Sequence, residues 1–292
     1  MSRNRMTADP ATYVFERQVL WAYRHGKRLR GSAGHRGRPA YTETLDDNLF
    51  ESLTAEAREE YAKGDGRELG RGGSEPGKMQ AVHSSSALSC NLFHYWRRIN
   101  RLDIIATACG LPQRNLQGLA FEQHFTIDAR FRFAPNLDAV FTYGGTGRRQ
   151  IGVECKFSEP FSTRTLLGLK EEYLRSTLDD VWKTLPSLRT LARELSPDNR
   201  RYKYLDAAQL VKHVLGLRRS SGSACQLLYL YYDAPGVAGA THSKEVQDFV
   251  EIAREDQMNV ISATYQDTLI RLAREQRAQH AAYMDYMVER YL

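Results

Sequence analysis

The spacing of apolar and polar positions changes character along the chain. Up to about residue 110 it is helical. YVFERQVLWAYRHGKR, from Tyr13, sets Val14, Phe15, Val19, Leu20 and Tyr23 near helical spacing, and a second segment runs from about Asp46 to Lys63. HSSSALSCNLFHYWRRINR opens on serines able to cap a helix and continues with Leu88, Leu92, Phe93, Trp96 and Ile99. LQGLAFEQHF, after Pro112, extends the helical reading and puts Glu122 on a helix just before the strands. The period then falls to two. NLDAVFTYGG places Leu137, Ala139, Phe141 and Tyr143 on one side and Asp138, Val140 and Thr142 on the other. RQIGVECKF sets Ile151, Val153, Cys155 and Phe157 against Gly152, Glu154 and Lys156, with GGTG between them as a hairpin signal. FTIDARFRF, before Pro135, predicts a third strand.

Beyond Pro160 the helical period returns, broken at Pro186, and resumes in KYLDAAQLVKHVLGLRR. CQLLYLYYDAP predicts a buried strand, followed by a helix from about Ser243 to Glu255, a strand at NVISATY and a closing helix from about Gln266. This order predicts an α/β fold with an N-terminal helical extension over residues 1–115 and a core over residues 116–292.

Two unlike charges on an apolar strand need a partner or a task, because unpaired charge is costly away from water. An odd turn centred on Thr146 sets Asp138 directly across from Glu154, on the face that Lys156 shares. Adjacent carboxylates repel unless something positive sits between them. On a solvated face Lys156 alone would serve. A divalent cation compensates two carboxylates fully, and hard oxygen ligands suit magnesium or manganese.

Composition adds limits. The balance of 41 Lys and Arg against 35 Asp and Glu gives a net charge of +6, which mildly favours polyanionic partners. Between Arg17 and Thr42 there is no acidic residue, and Arg24, Lys27, Arg28, Arg30, Arg36 and Arg38 would either line a phosphate backbone or form a solvated basic loop. Cys90, Cys109, Cys155 and Cys225 are scattered and read as reduced thiols. No apolar run is long enough to cross a membrane and MSRNRMTADP has no signal-like core, so a cytoplasmic protein without a membrane partner is expected. The glycine-rich KGDGRELGRGGSEPGK follows no strand and has GxGxxxG spacing, which predicts a flexible surface loop and not a nucleotide cradle.

PNLDAVF and VECKF, with fifteen residues between Asp138 and the next acid, Glu154, resemble the PD-(D/E)xK nuclease superfamily, which includes many restriction endonucleases. ECKFSEPF with the upstream HSSSALSCNLF is similar to a prokaryotic restriction-endonuclease branch. Pro135 precedes the acid by three positions, so the literal PD pair is absent. The resemblance covers roughly Leu119 to Ala234 and implies a restriction-endonuclease-like core, a mixed central sheet flanked by helices. It implies a Mg2+- or Mn2+-dependent endodeoxyribonuclease. Asp138, Glu154 and the Cys155 carbonyl would be metal ligands, Lys156 would orient or activate water, and Glu122 would be a further ligand or an exposed acid. Gln209 is a candidate polar contact to the site from the helix QLVKHVLGL, where His213 reads better as a packed histidine. Glu159 is a weaker candidate for supporting the site, and Tyr229, Tyr231 and Tyr232 read as core. DNA is the expected partner, with RNA left open. A non-cleaving binder of the same fold and a repair nuclease are the alternatives, and enzymes that cut both strands usually pair two sites, which would favour a homodimer.

Overall fold

The computed structural model describes residues 9–30, 40–64, 66–71, 75–131, 134–145, 149–163 and 165–292. A five-stranded mixed sheet carries the fold. Its strands are β1 (Leu116–His124), β2 (Asn136–Tyr143), β3 (Arg149–Lys156), β4 (Cys225–Tyr231) and β5 (Asn259–Thr264), in that spatial order. β1, β2 and β3 pair antiparallel, and β3, β4 and β5 pair parallel. Parallel neighbours require crossovers, which helices supply on both faces.

The helices are α1 (Pro10–Arg24), α2 (Ala55–Lys63), α3 (Ser85–Arg98), α4 (Leu102–Ala108), the single turn α5 (Asp179–Trp182), α6 (Pro186–Glu194), α7 (Ala207–Ser221), α8 (Gly236–Glu255), α9 (Tyr265–Gln276) and α10 (Ala281–Tyr291). One sheet face, with Phe141, Ile151, Val153, Cys155 and Phe157, shares a core with α2, α3, α4, α9 and α10. The other, with Val140, Leu227 and Tyr229, packs on α6, α7 and α8. This is an α/β architecture with a mixed sheet between helical layers, consistent with a restriction-endonuclease-like core. The helices before residue 115 and the sheet bury their apolar faces in one continuous cluster. All four cysteines are free and buried. Among the described residues no helix is long and apolar enough to cross a membrane.

Several elements depart from the sequence reading. LQGLAFEQH is strand β1, so Glu122 lies on the sheet and not on a helix. A nine-residue apolar segment fits either state, and pairing with β2 decides it. Phe125–Phe131, expected as the third strand, is irregular: Asp128 accepts from the backbone and side chain of Arg130, which turns the chain away from the sheet. Arg132 and Phe133, the end of that expected strand, lie outside the described residues. Pro186 starts α6, where its missing N–H costs nothing, and most of residues 165–178 are coil or short 3-10 turns. Leu137 leaves the predicted alternation and joins the core on the α7 face.

Candidate active site

The β2–β3 hairpin has the register that an odd turn predicts. Ala139 pairs with Val153, Phe141 with Ile151 and Tyr143 with Arg149, so the next pair outward would be Asp138 and Glu154. There the strands stop exchanging backbone bonds. The Cys155 N–H donates instead to Asp138 Oδ2 at 2.6 Å, which fixes that carboxylate at the fork. The adjoining ladder brings in Glu122. The pairs Phe121 with Ala139 and Gln123 with Leu137 bracket Glu122 and Asp138, and on the far side Glu154 pairs with Tyr229. Three acids from three strands thus stand in one row across the sheet.

Glu122 has a left-handed backbone at φ 50°, a conformation that costs a non-glycine residue about 1 kcal/mol. The kink turns its carboxylate into the site, where Asn136 Nδ2 donates to Oε2. Lys156 Nζ lies 2.5 Å from Glu154 Oε1 and donates to Gln209 Oε1 at 2.9 Å. His213 Nε2 lies 2.9 Å from Glu154 Oε2. Glu154 is only 2% exposed, so the solvated-face account of the Glu154 and Lys156 pair does not hold.

Electrostatics divides the acids. Burial works against the Glu154 charge, but Lys156 and His213 outweigh it and hold this carboxyl below the usual range. Burial, then Glu154 and Glu122, push Asp138 well above it. Glu122 is pushed up to about 8 by burial and then by Glu68. For Lys156 burial disfavours the ammonium, while Glu154, Tyr229 and Asp138 more than restore it and raise its pKa.

These groups open into one cleft of about 1780 Å3, lined also by Glu68, Lys78, Ser84, Lys170, Arg200 and Lys212. Glu68 escapes the sequence reading because it sits in the glycine-rich segment, which lines the cleft and is not merely a surface loop. Glu68 is 6% exposed, and burial raises its pKa. Lys78, Lys170 and Arg200 escape it too, since they come from separate segments that carry no local signal, whereas Lys212 shares the plain helix of Gln209. Glu159 lines the cleft as well and accepts from the Phe157 N–H at 2.9 Å.

The basic N-terminal stretch contributes differently. Lys27, Arg28 and Arg30 are not among the residues lining the cleft, and Arg30 donates to the Glu43 carbonyl at 2.6 Å. Arg36 and Arg38 lie outside the described residues. Arg97, Arg98 and Arg101 pair with Glu60, Glu51 and Asp103. Tyr229, Tyr231 and Tyr232 are buried, and Tyr229 reaches the cleft floor.

A family model described as "Restriction Endonuclease associating with ARP" matches residues 14–292. The chain belongs to this family. No curated protein and no solved structure matches it. Membership in a restriction-endonuclease family accords with a cleft that joins buried acids to a lysine.

A divalent cation can be tested against this donor set. Among the described residues no three His, Cys, Asp or Glu side chains are already arranged around a common metal position. Asp138 is turned to the Cys155 N–H, and Glu154 to Lys156 and His213. Two buried oxygens beside Glu122 nevertheless have no hydrogen-bond partner among the described residues, Glu68 Oε2 and Asn136 Oδ1. Both are acceptors, and burial raises the pKa of the neighbouring carboxylates Glu122 and Glu68. A hard cation or its water ligands would satisfy both deficits, so the residues fit one.

Proposed function

We propose that the protein is a divalent-cation-dependent nuclease that hydrolyses DNA phosphodiester bonds, in restriction or a related defence against foreign DNA. The reading takes the site to be of the PD-(D/E)xK kind. One observation carries it: Asp138, Glu154 and Lys156 meet at the fork of β2 and β3 inside a cleft rimmed by Lys78, Lys170, Arg200 and Lys212.

Asp138, Glu154 and the Cys155 carbonyl would hold the cation, with Glu122 as a further oxygen donor. Magnesium or manganese there would offset charge on the scissile phosphate and acidify a water. Lys156, held between Glu154 and Gln209, keeps a full positive charge at the cleft floor, where it stabilises negative charge growing on the phosphate and orients the attacking water. The rim cations bind the flanking phosphates by charge, which positions the strand without reading its sequence.

The deciding assay incubates the purified chain and its Glu154→Gln and Asp138→Asn variants with plasmid DNA and Mg2+ or Mn2+. Cleavage by the parent chain, reduced at least about 100-fold in each folded variant, is the expected result. Intact DNA under all conditions, together with no calorimetric cation binding, would overturn the reading.

A further inference from the structure

Helix α7 and strand β3 lie side by side in a matched register. Lys156, Glu154 and Gly152 are alternate residues of β3, and they meet Gln209, His213 and Leu217, every fourth residue of α7. Gln209 Oε1 accepts from Lys156 Nζ at 2.9 Å, His213 Nε2 lies 2.9 Å from Glu154 Oε2, and a Cβ on Gly152 would sit 3.2 Å from Leu217 Cδ1. The match is metric. Two strand residues rise about 6.6 Å, and four helix residues rise about 6 Å. The absent side chain at Gly152 leaves room for Leu137 Cδ1, with which a Cβ there would clash, as well as for Leu217 of the helix.

Glu154 is a buried carboxylate on a rotatable side chain, and its terminal torsion has only broad preferences. One contact, from Lys156 to Oε1, leaves the carboxylate free to swing about that oxygen. A second contact on Oε2 removes the freedom. His213 is 1% exposed, and among the described residues neither ring nitrogen has a hydrogen bond of good alignment, so the 2.9 Å approach of Nε2 to Glu154 Oε2 is the polar contact on which the ring's placement can be argued.

We propose that His213 is a positioning residue for the reaction: its Nε2–H holds Glu154 Oε2 and sets the plane of the carboxylate that receives the cation. The proposal rests on the nuclease reading of the site. It does not depend on the charge of the ring, since Nε2 carries the proton in the imidazolium and in the required neutral tautomer. α7 thereby fixes Lys156 through Gln209 and Glu154 through His213 from one helix face.

The test compares His213→Leu with His213→Gln, which keeps a donor of similar reach. Thermal melting checks folding, calorimetry with Mg2+ or Mn2+ alone measures cation affinity, and oligonucleotide cleavage separates kcat from KM. His213→Leu is expected to weaken cation binding and lower kcat by about 10- to 100-fold each, the range typical for removing a partner of a metal ligand. KM for DNA should change less than about twofold, because the rim cations are untouched. His213→Gln should recover most of the loss.

A nitrogen-15 spectrum of the ring in the unsubstituted chain gives a second reading that needs no variant, and a proton on Nε2 is expected. Parent-like kcat and cation affinity in a folded His213→Leu chain would overturn the inference, and so would a ring protonated on Nδ1 alone. If His213→Leu does not fold, His213→Gln and the ring spectrum decide. An unsubstituted chain that neither binds cation nor cleaves DNA defeats the nuclease reading and the proposal with it. A cleaving parent with an indifferent folded variant defeats the proposal alone.

Discussion

The carboxylate of Glu122 lies against Gly64, so closely that a Cβ at residue 64 would sit 2.6 Å from Oε2 and 3.1 Å from the Glu122 Cβ and Cγ. Gly64 has φ −65° and ψ 146°, which any residue can adopt. Space, and not backbone freedom, is therefore what calls for glycine. Gly64→Ala should cost about 1–3 kcal/mol of stability, as modest overpacking does. The displaced Glu122 carboxylate should lower nuclease activity by up to about 100-fold. Thermal melts and cleavage rates on the same preparation check both, and an alanine variant as active as the parent would show that the Glu122 position does not matter to the reaction.

Lys156→Ala removes the contact to Glu154 Oε1 and leaves Gln209 without its donor. Loss of one partner of a buried pair typically costs about 3–5 kcal/mol, and His213 beside Glu154 places the expected cost at the lower end. Cleavage should fall about 100-fold or more. Gln209→Ala removes only the acceptor, and a loss of about tenfold is expected from a less well-held Lys156. Chemical denaturation and single-turnover cleavage distinguish the two variants. Equal losses would mean that Gln209 does more than steady the lysine.

His242 provides a pH-dependent contribution to stability away from the acids. Its Nε2 lies 3.0 Å from the Tyr229 hydroxyl, and burial, aided by the charge of Lys156, lowers its pKa to about 4. The unfolded chain has the ordinary value near 6.5 and so binds the proton more readily across the interval between them. The contribution is complete above about pH 6.5, declines as pH falls through that value, and is lost below about pH 4, for a total of about 3 kcal/mol. His242→Gln keeps a polar partner for Tyr229 and should flatten the fall in unfolding free energy between pH 6.5 and 4. Parallel curves for parent and variant would contradict the assignment.

Arg290 is 1% exposed with neutral oxygens around it. It donates to the Asn48 carbonyl at 2.8 Å, Asn48 Oδ1 at 2.5 Å, the Val82 carbonyl at 3.2 Å and Gln18 Oε1 at 3.0 Å. Its guanidinium also lies 4.1 Å from the Trp21 ring centre. Arg290→Met would leave several buried acceptors unpaired and should destabilise the fold by about 3–5 kcal/mol. Urea unfolding measures it. A loss below about 1 kcal/mol would show that water replaces the guanidinium.

The legible part of the site is the part encoded locally. Asp138 and Glu154 can be placed opposite one another because a short odd turn fixes register, and Lys156 follows from the two-residue period. Gln209 is reachable because its helix is plain in the sequence. Glu68 is not, since a long irregular segment returns it to the cleft by folding and no period marks its position. His213 reads as packing because its partner is 59 positions away, and only the pairing of α7 with β3 brings the two together. Glu122 reads as helical because a short apolar run does not distinguish a helix turn from a strand, and its left-handed kink has no sequence signature outside glycine and asparagine. The fold class survives these misplacements because it depends on the order of elements and not on their exact ends.

The guanidinium of Arg290 also has a kinetic consequence. Its bond to Gln18 closes a loop of 272 residues, whereas the β2–β3 hairpin closes across a few. Long closures are entropically late and short ones early. The strands that carry Asp138 and Glu154 are therefore expected to form before the first and last helices meet. Pulse-labelled amide exchange of the hairpin should precede the fluorescence change of Trp21, and simultaneous signals would indicate one concerted step. In that order the two acids are brought together while the outer helices are still unjoined, and the chain assembles its reactive centre before it seals its seam.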